Sequence, residues 1–307
     1  MCRKVLVTGS EGLIGTEIIK LLEACGTITA RMDIRAEGQD WGDVRDPLAV
    51  ARALAGCSGV IHLAAVSRVL WGERDPELCW ETNVKGTENV LKAASRMARM
   101  PWVIFSSSRE VYGQPDCLPV TEDAPLAPVN IYGRSKAAAE TLIKQARSSG
   151  VETAITRFSN VYGRTTDYPD RVVPAFARAA SRGETLRVDG SDHIFDFNHL
   201  DDTTSGLVAL AKVLDQGGNS LPPIHFVSGV PTTLGELATM AIELGQGRSE
   251  VVQAPPRSYD VARFVGNPSR AKELLGWSPR IGVREGMERL IKDFRQLEEE
   301  IVQGSAA

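Results

Sequence analysis

Gly9, Gly12 and Gly15 are spaced G-x-x-G-x-x-G between the β-rich run KVLV and a stretch in which Leu13, Ile14, Ile18, Leu21 and Leu22 recur at helical spacing. No other feature constrains the fold as much. The first glycine permits a tight turn, the second lets backbone approach a pyrophosphate, and the third lets helix and strand pack closely. Among 28 glycines such a spacing alone says little; between a strand and a helix it specifies the opening βαβ unit of a dinucleotide-binding fold. A phosphate would then meet the start of the helix, at Leu13 and Ile14.

The alternation continues. TITARMD, GVIHLAA, WVIFSSS and ETAITRFS read as strands, separated by helical patterns at DPLAVARALAGC, PELCWETNVKGTENVLKAASRMA and IYGRSKAAAETLIKQARSSG. Strands alternating with helices predict a Rossmann-type, doubly wound α/β fold whose parallel sheet is covered on both faces, and the near-continuous apolar strands fit that burial. The second half is less regular: VVPAFARAASRG, LGELATMAIELG and VREGMERLIKDFRQLEEEI read as helices between Pro/Gly-rich loops, and IHFVS as a further strand. The organisation expected is a dinucleotide-binding lobe over 1–162, with a return segment near 195–212, and a smaller mixed α/β substrate lobe over 163–307.

Asp33 ends the second strand, about 20 residues beyond the glycines, where an acidic side chain bonds the ribose 2′-hydroxyl of NAD and repels the 2′-phosphate of NADP. NAD is the expected cofactor. Arg35, two residues on, is the one residue there suited to a phosphate.

With 43% hydrophobic residues and a net charge of −4, the composition is that of an ordinary globular protein without a basic nucleic-acid surface. The apolar runs are too short to span a bilayer, and MCRK leads directly into the first strand and the glycine-rich turn, so a cytoplasmic protein is expected. Cys2, Cys25, Cys57, Cys79 and Cys117 are odd in number and scattered, which reads as reduced thiols with no metal site.

Tyr132 and Lys136, in YGRSK, are four apart at the start of a helix and so share a face. An ammonium beside a phenol favours the phenolate and draws its pKa from about 10 toward neutrality, which makes a general base. At this point the chain resembles the extended short-chain dehydrogenase/reductase family, particularly its nucleotide-sugar epimerases and dehydratases. The resemblance rests on the ordered set TGSEGLIG, GDVRD, HLAA, TNVKGTENVL, SSS, YGRSK, RFSNVYG and KELLGWSPR.

The resemblance implies that Asp43 and Val44 hold the adenine end of NAD, that Leu63, Ala64 and Ala65 line its path with Ser106, and that Asn83 lies near the nicotinamide half unless it is a helix cap. Ser106 and Ser107 also read as strand-end residues that satisfy backbone. Ser108 would bond the substrate hydroxyl, with Tyr132 as base and Lys136 on the nicotinamide ribose. Asn160 and Arg257 would meet the diphosphate of a nucleotide sugar. Arg109, after Ser108, and Arg171 and Val172, in DRVVPAF, are further substrate candidates, Arg171 being either a contact for a sugar carboxylate or a charge on a loop. The helices around 77–98 and 132–148 would pair into a homodimer. One position departs from the family: Phe195 stands where a diphosphate-gripping arginine is usual, and Arg171, His193 and Arg257 are the possible substitutes.

The pair after Ser108 decides among reactions. In 4,6-dehydratases the matching residues are Asp-Glu, many decarboxylases keep the glutamate, and many 4-epimerases have small non-ionic residues. Here they are Arg109 and Glu110. Arginine cannot act as a general acid at neutral pH, which argues against dehydration. The expectation is an epimerase acting at C4 of a UDP-hexose or UDP-hexuronic acid through a 4-keto sugar. Decarboxylation or dehydration through Glu110 is the alternative, and a polar turn or local ion pair is the plain structural reading of Arg109 and Glu110. A non-catalytic NAD-binding regulator is the third possibility, which the retained Tyr132 and Lys136 oppose.

Overall fold

In a computed structural model, which describes residues 3–217, 219–255 and 261–305, the first half runs β1 (Lys4–Thr8), α1 (Leu13–Ala24), β2 (Ile28–Met32), α2 (Pro47–Leu54), β3 (Gly59–His62), α3 (Val69–Arg74), α4 (Pro76–Trp80), α5 (Gly86–Ser95), β4 (Trp102–Ser108), α6 (Ile131–Arg147) and β5 (Thr153–Phe158). The second runs β6 (Asn160–Tyr162), α7 (Val172–Arg182), β7 (Leu186–Asp189), β8 (Ile194–Phe195), β9 (Phe197–His199), α8 (Leu200–Asp215), β10 (Ile224–Phe226), β11 (Thr232–Thr233), α9 (Leu234–Leu244), β12 (Val251–Ala254), α10 (Ser269–Leu275) and α11 (Val283–Ser305).

Six strands form one parallel sheet in the order β10-β5-β4-β3-β1-β2. The chain leaves β1 for β2 on one side and returns to β3 on the other, so the crevice beyond the carboxyl ends of β1 and β3 is the topological switch point where such folds bind ligands. Alternation along β1 covers both faces: Val5 and Val7 pack with Ile18, Leu22, Leu207, Leu210 and Trp277, while Leu6 packs with Val60, Leu91 and Ile143. The sheet thus lies between α1, α8 and α10 on one side and α2, α5 and α6 on the other. Trp277 fastens KELLGWSPR to α8, its Nε1 donating to Ser205 Oγ and Asp202 O.

A second core gathers Phe176, Leu186, Phe197, Leu237, Met287 and Phe294 from α7, β7, β9, α9 and α11. Its strands pair in twos: β7 with β12 and β6 with β9 in parallel, β8 with β11 antiparallel.

The single helix expected over PELCWETNVKGTENVLKAASRMA is instead divided. A π-type turn at Glu81–Lys85 separates α4 from α5, and Gly86 lies so close to Val44 that a Cβ would be 2.7 Å from Val44 Cγ2. Such turns redirect side chains inside helices; here the turn carries Asn83. α3 has no counterpart in the sequence reading. Among the described residues no helix is long and apolar enough to cross a membrane, no His/Cys/Asp/Glu cluster could hold a metal, and Cys25, Cys57, Cys79 and Cys117 are free thiols; Cys2 lies outside them.

Candidate active site

β4 carries three serines to the crevice and ends at Ser108, whose Oγ accepts from Glu110 N at 3.2 Å and starts the 3₁₀ turn Arg109–Tyr112. α6 comes in against this turn. Asn130 caps α6 through Gly133 N (2.8 Å), and a Cβ on Gly133 would stand 2.5 Å from Glu110 O, so only glycine allows the approach. The approach brings the Tyr132 hydroxyl to the Ser108 side chain, whose influence lowers the phenol's pKa. One turn on, the buried Lys136 donates from Nζ to Ser106 O at 2.8 Å, with Nζ 5.9 Å from the Tyr132 ring centre.

The electrostatics here correct the sequence reading. Burial pushes the Tyr132 phenol up to about 12; the Ser108 side chain and the Arg171 charge draw it partly back, while the Glu110 charge adds to the rise. The Lys136 ammonium is directed at Ser106 O and is itself desolvated, which brings it down to about 8.

Glu110 is buried, and both of its oxygens are engaged. Oε1 pairs with Arg109 Nη2 at 3.0 Å, and Oε2 accepts from Asn130 Nδ2 at 2.7 Å. The Arg109 guanidinium carbon also lies 4.6 Å from the ring centre of Phe195, so this arginine spans from the end of β4 to the second core. Asn130 was not singled out in the sequence; its place just before the first residue of a helical pattern is the signal of a cap.

Behind the serines lies an ion-pair network that the sequence reading also missed. Glu140, fully buried, accepts from Ser107 Oγ (2.6 Å), Arg157 Nε (2.8 Å) and Arg157 Nη2 (2.7 Å). Arg157 Nη1 continues to Tyr112 Oη (2.6 Å) and Glu122 O (2.7 Å), and Tyr112 Oη meets His225 Nε2 (2.6 Å). Burial brings His225 down to about 3, so it is neutral in this cluster. Ser107 therefore does not satisfy strand-end amides with its hydroxyl; it donates to Glu140.

The expected cofactor residues line the switch point. Gly9 has φ +71°, and a Cβ there would be 2.7 Å from Ala64 N; one on Gly15 would be 2.1 Å from Gly9 O. No side chain caps the N-terminus of α1 at Gly12, so the amides at Leu13 and Ile14 lie at a helix end that favours anions. Asp33 accepts from Glu11 N (3.0 Å) and Arg35 N (2.9 Å), with Arg35 Nε 3.4 Å away. Gly42 N donates to Asp33 O (3.1 Å), which ties the loop bearing Asp43 and Val44 to the end of β2; Arg45 holds the Asp43 carboxyl below its usual range.

Across the crevice Leu63 N donates to Thr8 O (3.1 Å) and Ala64 N to Thr8 Oγ1 (3.2 Å), with Ala65 following. Asn83 is not a helix cap. Its side chain bonds Val66 N (2.8 Å), Val66 O (3.1 Å) and Ser135 Oγ (2.8 Å), fastening the loop after β3 to α6. An unblocked helix end, a turn closed to any Cβ and an acid beyond the second strand together fit a dinucleotide.

On the substrate side, Asn160 Nδ2 donates to Asp196 O (3.2 Å). Arg171 reaches Asp167 Oδ1 and Val161 O at 3.4 Å, and its charge lowers the Tyr132 phenol; Val172 begins α7 and packs on the second core. His193 lies edge-on to Phe195, ring centres 6.1 Å apart. Arg257 lies outside the described residues.

Residues 5–224 match the NAD dependent epimerase/dehydratase family. UDP-glucuronic acid decarboxylase 3 of Arabidopsis thaliana is 30% identical over 95% of this chain and 89% of its own length, and the UDP-glucose 4-epimerase of Rhizobium meliloti is 29% identical over 90% and 92%. Among solved structures, UDP-glucose 4-epimerase from Thermotoga maritima with UDP-glucose superposes with a TM-score of 0.88 at 25% identity, covering 96% of this chain and 99% of that one. MoeE5 in complex with UDP-glucuronic acid and NAD gives 0.87 at 29%, with the same coverage.

Proposed function

Because the chain belongs to the NAD dependent epimerase/dehydratase family, we propose that it inverts the C4 hydroxyl of a nucleotide sugar through a transient 4-keto sugar, with NAD as its cofactor. The observation that carries this reading is the engagement of both Glu110 oxygens, by Arg109 and Asn130. The carboxylate that would drive a second step at C5 or C6 is fixed as a strut, and Ser108 with Tyr132 are left as the pair that can handle a sugar hydroxyl proton.

Ser108 orients the hydroxyl; with the burial that raises the Tyr132 phenol offset by the positive charge of bound oxidised NAD, Tyr132 takes the hydroxyl proton as the carbon is oxidised and gives it back after the ketone has turned in the site. Bound NAD supplies a hydride acceptor that is restored in each cycle, so no external redox partner is needed. The glycine turn, Asp33, Asp43 and the 63–65 segment hold that cofactor in the lobe to about residue 162, and Asn160 at the end of that lobe and Arg171 in the later one hold the nucleotide sugar. Assembly as a homodimer through α4, α5 and α6 is part of the proposal, supported by the exposed Leu78 and Trp80 on α4; sedimentation showing only monomer at micromolar concentration would contradict it.

Decarboxylation is the second reading, favoured by the presence of Glu110 at the end of β4 and by the curated decarboxylase relatives. One variant tests the oxidation that both readings share, and a second separates them. Tyr132→Phe should retain NAD, give no reduced-nicotinamide absorbance on adding substrate, and lower kcat about 10²- to 10⁴-fold. Glu110→Gln should slow inversion without stalling it. Accumulation of oxidised sugar with reduced cofactor in Glu110→Gln would sink the epimerase reading in favour of decarboxylation or dehydration.

A further inference from the structure

We propose that Arg109 recognises a carboxylate on the sugar ring, so that the substrate class of this site is the uronic acid form of a nucleotide sugar. The inference rests on the nucleotide-sugar reading above and narrows it.

The guanidinium of Arg109 is almost out of solvent, its side chain 12% exposed. Only Nη2 is used, toward Glu110 Oε1; Nη1 is buried with no hydrogen-bond partner among the described residues. An arginine donor that is desolvated and unmet carries a free-energy penalty that an anionic oxygen removes, and a carboxylate matches the fork of the group. The position of the side chain is fixed from two directions. Glu110 holds one nitrogen, and the guanidinium carbon lies 4.6 Å from the centre of the Phe195 ring. Phe195 occupies the position where the family usually has an arginine, so a platform in the second lobe replaces a cation there while a cation from the first lobe rests on it.

Two anions of the substrate could meet Nη1, the diphosphate or a carboxylate of the sugar. Arg109 directly follows Ser108, and its partner Glu110 accepts from Asn130, the cap of the helix that carries Tyr132, at 2.7 Å. The free nitrogen therefore belongs to the end of the site where the reacting sugar carbon sits, and the sugar carboxylate is the anion within its reach. Arg171 is a second cation whose charge is felt at the same tyrosine, already shared with Asp167.

The test measures binding without turnover, by calorimetric titration of UDP-glucuronate, UDP-glucose and UDP into the NAD-loaded Tyr132→Phe protein, with and without Arg109→Met. UDP-glucuronate should bind more tightly than UDP-glucose, and Arg109→Met should weaken UDP-glucuronate roughly 10- to 100-fold while shifting the other two much less. Equal weakening of all three ligands would assign Nη1 to the diphosphate and overturn the inference. So would an unchanged uronate affinity, or a parent protein that shows no preference for UDP-glucuronate or fails to bind it. NAD retention and the unfolding midpoint report folding. Should Arg109→Met fail to fold, Arg109→Lys keeps the charge without the fork and should weaken UDP-glucuronate selectively; uniform weakening again overturns the inference. Because turnover is not the readout, a protein that binds in this pattern but does not invert C4 would refute the proposed reaction and leave the carboxylate assignment standing.

Discussion

Replacing Glu140 with Met would remove the carboxylate that holds the buried Arg157 guanidinium bidentately. Glu140 is 0% and Arg157 2% exposed, so the arginine would keep its charge in a desolvated site while losing both of its bonds to the Glu140 carboxylate. Breaking a buried pair from one side costs about 3–5 kcal/mol, a large part of the roughly 5–15 kcal/mol that holds a typical protein folded. Urea unfolding of the NAD-free protein reads that loss directly. The double variant Glu140→Met with Arg157→Met should be less damaged than Glu140→Met alone, because the uncompensated charge is gone. Its residual cost is then the donors lost to Tyr112 Oη and Glu122 O and the acceptor lost to Ser107 Oγ, about 1 kcal/mol each. A Glu140→Met loss below about 1 kcal/mol, or a double variant as unstable as the sum of the singles, would refute the reasoning.

Gly133→Ala should cost about 1–3 kcal/mol and lower kcat at least tenfold in a steady-state assay, because a Cβ 2.5 Å from Glu110 O forces α6 away from the turn that holds Ser108. Lys136 gives a pH dependence with a definite sign. The buried ammonium loses its proton near pH 8, whereas the unfolded chain keeps it to near 10.5, so between these values the unfolded state binds more protons and stability rises with pH. The wild type should gain on the order of 3 kcal/mol over Lys136→Met across that window in urea unfolding, with no relative change below it; a relative loss would contradict the burial of the charge.

The sheet and the cradle were legible because they obey short periods. Val5, Leu6 and Val7 alternate between two cores, Ile18 and Leu22 recur at one helical turn, and a glycine turn between them has one common use. Tyr132 and Lys136 were legible for the same reason, being one turn apart. What they do electrostatically was not, because it depends on where the ammonium points: Ser106 O takes it, and no spacing encodes that. Asn83 looked like a possible cap because its partners, Val66 and Ser135, come from elements distant in sequence and meet through the π-type turn. Glu140 lies four residues after Lys136 and could have been read as sharing its face, but its partner Arg157 sits in an apolar strand that gave no hint of a buried cation. In the second lobe, strands of two to four residues carry too few alternations to reveal their pairing.

The measurement that tests the central claim most directly follows a deuterium label placed at C4 of UDP-glucuronate and of UDP-glucose through the reaction by NMR. The account expects the label to remain at C4 with the configuration inverted and all carbons retained. A label found at C6, a product that has lost its C6 carbon, or deuterium released to solvent would contradict it.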